Sequence, residues 1–555
     1  MESFEKNGIW FLPESPDRQI TGTLVFSPDR EPRLNLVGEL RELDLQEKLE
    51  SDIKYPLIHG YLIGDSGTSE KVTLCNSYQK NELKTGVPTS ELYPEFILKG
   101  YHFLSLDEIV FQGIIVQYDY LEKWVNLPNI EIGCIPHHNQ ADTYQQIILN
   151  QKVNEPIEIG KINDSSITII DLPFLNPQNV QLINLFATLG GKWDKSEILI
   201  KEQKKILIKP DSPKNLKFFL DIVDLIQEFL TFGCGQIILP LKIETSIIAN
   251  NQESETQLFN GVPMEIQTER QTAFPINIFY KVTSPLSNKV SFNASLILFK
   301  FTDIRESSAT VLNNWQNIRE QISSIIEIYL GLYYIPVRYK NDLFLDLAQA
   351  IEGFHRIYCE GNYCDEDTFK KIKKKLNETF SSELKKYDID QACYESLLRK
   401  TEYWNEYSLK ERLEDFLDDG SIFWKIYFLK LTLESMSCTL LRYASLLHYA
   451  SLLRYAYSHL IYYSENNFSS GLPDNFFISN KDKENFIKQV RDTRGFLTHP
   501  SSASKSRKKS KHIVSGNELE NLIRKLKIIL EICLLKSLGL DSSKIKALTR
   551  SRHLL

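Results

Sequence analysis

Paired cysteines are missing from this chain. Its eight cysteines, Cys75, Cys134, Cys234, Cys359, Cys364, Cys393, Cys438 and Cys533, stand singly among 555 residues, with no Cys-x-x-Cys spacing. That excludes a zinc ribbon or a dithiol redox motif and predicts reduced thiols packed in cores. Long apolar runs are missing too. No stretch reaches the roughly 18 apolar residues of a transmembrane helix. The nearest, IILEICLLKSLGL at 528–540, is short and carries charge. No basic segment followed by an apolar core opens the sequence, so no secretory signal and no membrane partner are expected, and the expected location is cytoplasmic. Excess positive charge is absent, since 65 Lys and Arg against 72 Asp and Glu give a net −7. Any polyanion site must therefore be a local patch. The loop GDSGTSEK at 64–71 ends without Gly-Lys-Ser/Thr and reads as a β-turn, not a phosphate loop. Cys134, His137 and His138 in GCIPHHNQ lack the second ligand cluster a structural zinc site needs. No metal and no cofactor are expected.

What is present divides into two halves with different hydrophobic periods. Up to about residue 300, short alternating or apolar segments are punctuated by Gly, Pro, Asn and Asp: QITGTLVF, PRLNLVGEL, YPLIHGYLIG, KVTLCNSY, FILKGYHFL, SSITIIDL, KKILIKP and SFNASLILFKF. They predict antiparallel sheets in a sandwich-like arrangement of two layers. Helices are expected to interrupt them at 177–189 and 213–233, the second with Phe218, Ile222, Leu225, Phe229 and Leu230 as its apolar stripe. Beyond about 305 the period is helical. Trp315, Ile318, Ile322, Ile325, Ile326, Tyr329 and Leu330 share one face, and 341–359 repeats the pattern. Amphipathic charged helices follow, then 421–463, apolar nearly all round, which predicts the central helix of a bundle. The expected fold class is α+β: a β-rich region over 1–300 and an all-α bundle over 301–555. Within 442–460 a six-residue repeat, Tyr-Ala-Ser-Leu-Leu plus a basic residue, reads as a short tandem duplication. His448 and Arg454 in it are expected at packing or surface positions.

The chemistry concentrates in RDTRGFLTHP at 491–500. Ser479 followed by Asp482 resembles a capping box that starts this helix. At about 100° per residue, Phe486, Ile487, Val490 and Leu497 share an arc that also contains Arg494. A guanidinium on an apolar arc must be paired or face a wet cleft or a partner. His499 would fall on the far side of a continuing helix. Pro500 biases His499 away from helical backbone, and Gly495 weakens the helix by roughly 1 kcal/mol relative to Ala. A break after Leu497 or Thr498 would let the imidazole turn back toward Arg494. An imidazole passes protons at neutral pH, and a guanidinium grips phosphate oxygens. The pair suits metal-free RNA cleavage, in which the 2′-OH attacks the adjacent phosphorus. Downstream, Lys505, Arg507, Lys508, Lys509 and Lys511 are five cations with no acid before Glu518, placed to contact RNA phosphates. Glu352, in AIEGFHRIY, is a candidate to orient Arg494 or His499, or to pair with Arg356 one turn on. His355 is expected to pack in a core or lie at the surface.

Arg-x-x-x-x-His near the end of a helical bundle resembles the HEPN family (higher eukaryotes and prokaryotes nucleotide-binding). NGIWFLPESPDRQITGTLVF, LNLVGEL, VTLCNSY and YDYLEKW resemble the N-terminal β domain of ApeA-like abortive-infection proteins. LFLDLAQAIEGFHRIY resembles the first bundle helix of ApeA-like HEPN domains. The resemblance implies a metal-independent endoribonuclease of anti-phage defence, with Arg494 and His499 catalytic. It also implies a homodimer whose two motifs face one cleft, a phage-derived trigger sensed by the β-rich half, and an RNA substrate, tRNA by family analogy. The residue after the arginine is usually polar in the family. Here it is Gly495, so the polar role is dispensable, or another side chain such as Asp492 or Thr493 supplies it, or activity is reduced. The alternative is a HEPN protein that binds nucleotide, RNA or a partner without cutting.

Overall fold

In a computed structural model, the described residues are 1–42, 52–64, 67–80, 89–128, 130–136, 144–151, 155–171, 203–259, 262–282, 291–335, 338–359, 361–384, 391–401, 404–417, 472–473, 476–498 and 512–553. They form two compact units, Met1–Gln316 and Asn317–Leu555. The expected helix at 177–189, the bundle segment 421–463 and its repeat with His448 and Arg454 lie outside the described residues.

The first unit is built on antiparallel strands. In chain order these are β1 (Phe4–Leu12), β2 (Ser15–Phe26), β3 (Arg33–Val37), β4 (Asp52–Ile63), β5 (Ser69–Lys80), β6 (Thr89–Tyr93), β7 (Phe96–Lys99), β8 (Val110–Phe111) and β9 (Ile114–Tyr118). They continue with β10 (Ile130–Pro136), β11 (Tyr144–Gln151), β12 (Ile157–Ile162), β13 (Ser165–Asp171), β14 (Lys204–Pro210), β15 (Lys214–Asn215), β16 (Pro240–Phe259) and β17 (Val262–Tyr280). Thirteen of them make one sheet, ordered β12-β13-β14-β9-β16-β17-β7-β5-β4-β1-β2-β3-β6. Because β6 also pairs with β5, the run β5-β4-β1-β2-β3-β6 closes on itself as a barrel. The antiparallel β-rich reading therefore holds, with a closed barrel and an open wing in place of two facing layers. Alternation puts Trp10, Leu24, Phe26, Leu34, Ile58, Val72, Leu74 and Leu92 in a common core with the polar residues outside. Gly60 is what lets Trp10 sit there, since a Cβ at position 60 would come within 2.4 Å of the indole.

Over the wing lies α1 (Leu216–Cys234), started by Asn215, whose side chain accepts the Phe218 N–H at 3.0 Å, and ended by Gly235 at φ +63. Its buried face is wider than the expected stripe: Leu216, Phe219, Val223 and Ile226 are buried with Ile222 and Phe229, whereas Phe218 and Leu225 stay half-buried. Phe229 and Phe232 pack with Phe299 and with Trp315, Phe232 and Trp315 stacking at 5.4 Å. Trp315 comes from α2 (Ser308–Gln321), so the first unit extends into a helix. SFNASLILFKF, expected as a strand, is corrected here: it forms a 3-10 turn at Ala294–Leu296 and then gives the Leu298 and Phe299 N–H groups to Gly233 O, at 2.8 and 3.1 Å. Those donors are satisfied at the end of α1, not in a sheet ladder.

The second unit is helical, as its period predicts. After α2 come α3 (Ser323–Tyr334), α4 (Lys340–Tyr358), α5 (Glu366–Leu384), α6 (Gln391–Lys400), α7 (Leu409–Leu417), α8 (Asn480–Thr498), α9 (Asn517–Ser537) and α10 (Ser542–His553). The helical pattern across 313–334 breaks at Ile322, at φ −129 and ψ 39, which separates α2 from α3. Among the described residues, α4 is the helix that α3, α7, α8 and α9 all pack against. Its buried side is Phe344, Leu347, Ala348, Ala350, Ile351, Phe354 and His355. This places Glu352 at the edge of the packed face, beside α8.

Candidate active site

Helix α8 begins as its sequence predicts. Ser479 Oγ accepts the Asp482 N–H at 3.2 Å, while the Asp482 carboxylate accepts from the Ile478 N–H at 3.3 Å. One arm of the capping box is thus present, and the other reaches one residue further out. Lys525 of α9 holds this end as well: its ammonium is 3.5 Å from Asp482 and 4.6 Å from the Phe477 ring centroid. Phe486, Ile487, Val490 and Thr493 form the buried line of α8.

Arg494 sits beside that line with 37% of its side chain exposed. Its Nη2 is 2.7 Å from Glu352 Oε2 of α4, an acid only 17% exposed. The structure thus brings together Arg494 and Glu352. The pairing of Glu352 with Arg356 one turn along α4 is present too, at a longer 3.9 Å. Helix and helix packing together explain the geometry: α8 turns Arg494 toward α4, and Glu352 is the acid on the α4 edge it meets.

Of the other expected members, Thr493 and Asp492 are turned to other partners. Thr493 is buried, and its Oγ1 accepts the Val514 N–H at 3.2 Å. Asp492 pairs with Arg491 at 2.7 Å. Gly495 is exposed, and a Cβ there would meet nothing within 4 Å. The helix runs through this glycine and ends at Thr498, whose hydroxyl donates to Arg494 O at 2.9 Å. His499, Pro500 and the cations Lys505, Arg507, Lys508, Lys509 and Lys511 lie outside the described residues.

Behind the pair stands a polar cluster that the sequence reading did not assemble. Arg356 donates from Nε and Nη2 to Glu406 Oε2, at 3.1 and 2.7 Å. Glu406 also meets Arg412 Nη2 at 3.4 Å. Arg412, on α7, is fully buried and donates to Tyr407 O at 2.9 Å and to His355 Nδ1 at 3.0 Å. His355 Nε2 then donates to Asp415 at 2.9 Å. An imidazole that accepts at Nδ1 and donates at Nε2 is neutral. Burial holds its pKa below the ordinary histidine range, the Asp415 contact opposing and Arg412 reinforcing that shift. His355 is therefore a packed core residue, one of the two placements expected, with both ring nitrogens occupied. Arg412 was legible by the same logic as Arg494. In SLKERLEDFL it falls on the arc of Leu409, Leu413 and Phe416.

His355, Cys359 and Asp415 bring three metal-ligand atoms within 4.8 Å of one another. The neighbours do not suit a cation. The buried Arg412 guanidinium points at His355 Nδ1, and a metal on Nε2 would leave Nδ1 carrying a proton against that donor. The arrangement fits a hydrogen-bonded relay.

Among the described residues, no helix is long and apolar enough to cross a membrane. Comparison with known families places both units. The family model for ApeA N-terminal domain 1 matches residues 5–315, and that for Apea-like HEPN matches 345–460 and 456–544. No curated protein and no solved structure matches the chain. The first model covers more than half of the chain and the second most of the rest, in the order of the two structural units, so the chain belongs to the ApeA-like HEPN proteins.

Proposed function

We propose that the protein is a metal-independent endoribonuclease of an anti-phage defence system. Family membership supports a nuclease-type role in that defence. The observation that carries the finer reading is the Glu352–Arg494 ion pair at 2.7 Å on the last turns of α8. It holds a guanidinium, part open to solvent, five residues before His499. In the proposed reaction His499 takes the proton of an RNA 2′-OH, or gives one to the leaving 5′ oxygen. The O2′–P bond forms and the P–O5′ bond breaks, giving a 2′,3′-cyclic phosphate and a free 5′-OH. Arg494 stabilises the charge that builds on the phosphate oxygens. Lys505, Arg507, Lys508, Lys509 and Lys511 track the RNA backbone. Two copies supply two motifs to one cleft, and the β-rich unit senses a phage-derived trigger. A tRNA is the substrate the family analogy favours.

The test is cleavage of cellular RNA by purified protein in excess EDTA. Wild type should cut, leaving cyclic phosphate ends, and His499→Ala and Arg494→Ala should not. Cleavage by the His499→Ala protein at the wild-type rate would overturn the reading. A second reading, a HEPN protein that binds RNA without cutting, is favoured by Gly495, which offers no side chain where relatives carry a polar one. Wild type that binds RNA pools and leaves them intact supports it.

A further inference from the structure

Glu352 serves two guanidiniums, and only one of them belongs to the motif. Arg494 Nη2 takes Oε2 at 2.7 Å, and Arg356 Nη2 lies 3.9 Å from Oε1. Arg356 is 52% exposed. Among the described residues its Nη1 has no partner, and neither do Nη1 and Nε of Arg494. The third guanidinium of the cluster, Arg412, is fully buried and spends its donors on Tyr407 O, His355 and Glu406. Both carboxylates available to Arg356 are thus shared, Glu352 with Arg494 and Glu406 with Arg412.

Packing does not explain an arginine at position 356. Its side chain is half in solvent, and exposed ion pairs add little to stability. Its fork is held along Nε and Nη2 by Glu406, and the same Nη2 lies 3.9 Å from Glu352, the carboxylate that pairs with Arg494, while Nη1 makes no hydrogen bond among the described residues. A planar guanidinium with a free edge suits phosphodiester oxygens.

We propose that Arg356 is a substrate-binding residue that grips a phosphodiester flanking the one at Arg494, with Glu352 and Glu406 presenting it. This rests on the RNA-cleaving reading above. It adds a second anionic subsite on α4, outside the Arg-x-x-x-x-His motif, and makes the substrate a strand that continues past the scissile bond over that helix.

The experiment measures binding of a 2′-O-methyl oligoribonucleotide, which lacks the attacking hydroxyl, by the full chain at a series of salt concentrations. Each phosphate contact on a single strand contributes a slope of about −0.7 in log K against log salt. Arg356→Gln should make the slope shallower by about that amount. It should also weaken binding several-fold, and with cleavable RNA the loss should appear in KM more than in kcat. Arg356→Lys should restore the slope, because the charge returns. A merely structural arginine would leave the slope unchanged, and that result overturns the proposal. Phenylglyoxal modification of the wild-type chain, read by peptide mass spectrometry, decides the matter even if Arg356→Gln fails to fold. Protection of Arg356 by the oligonucleotide supports the subsite, and equal modification with and without it refutes the subsite. Failure of wild type to bind any RNA sinks the parent reading instead. Binding with an unchanged slope in Arg356→Gln sinks this one alone.

Discussion

Glu352 and Arg494 come from helices more than a hundred residues apart in the chain and meet at 2.7 Å. The acid is the more buried partner, so it fixes the arginine and not the reverse. Glu352→Gln keeps the shape and removes the charge. The guanidinium then loses its anchor, and cleavage should fall by up to about 10²-fold. Stability should change by less than about 1 kcal/mol, because the arginine side is well exposed to solvent. Single-turnover cleavage and a thermal melt of the same sample separate the two effects, and full activity in Glu352→Gln would remove Glu352 from the site.

The Arg412 cluster should behave in the opposite way. Arg412→Ala removes the buried partner of His355 and Glu406, and breaking such a pair costs about 3–5 kcal/mol. Gly361→Ala attacks the same place from the backbone. Its Cβ would lie 2.5 Å from Arg412 Nη1 and 2.9 Å from His355 Nδ1, at a φ of +60. Both variants should lower the urea midpoint of the helical transition followed by circular dichroism. Wild-type midpoints would show that the cluster is dispensable to the fold.

In the barrel unit, His59 and His102 stack at 4.4 Å with an interplanar angle of 4°. Their ring nitrogens meet Phe103 O at 2.7 Å and Gly60 O at 2.9 Å. Burial is the largest cause that lowers both pKa values, His102 to about 4. The unfolded chain gains these protons near pH 6.5, the folded chain only at lower pH. Their contribution is therefore complete above about pH 6.5 and is lost as the pH falls toward 4. Melting temperatures over that window should fall for wild type and fall less for His102→Phe. Parallel curves would show that the pair does not titrate in this way.

Gly495 offers a clean contrast. It is exposed within α8, with open space where a side chain would go. Gly495→Ala should stabilise the protein by about 0.5–1 kcal/mol through helix propensity. Gly495→Asn tests whether a polar group at this position matters for turnover. A rate above wild type would mean that the glycine holds activity down. An unchanged rate would mean that the polar position is dispensable here.

Much of this was legible from periodicity. The change from a two-residue to a helical period near 300 separates strands from helices, and the arc containing Arg494 called for a guanidinium that is paired or faces a wet cleft or a partner, of which the ion pair is the one observed. Glu352 was readable because an acid beside an apolar helix face needs a cation. Barrel closure was not readable, since it depends on β6 pairing with both β3 and β5, and alternation reports a face without naming the neighbour. The SFNASLILFKF segment misled because its apolar residues fill a core while its N–H groups cap α1. Arg412 escaped notice because a single arginine in a charged helix looks solvated until its arc is drawn.

The hydrogen bond from Val514 to Thr493 has a further effect. The chain leaves α8 after Thr498 and is back at the same helix by Val514, so the intervening stretch is fastened at both ends near Arg494. Lys505, Arg507, Lys508, Lys509 and Lys511 all belong to it. Both anchor points of the segment that carries these five cations therefore lie at the helix of Arg494, although the protein as a whole is acidic.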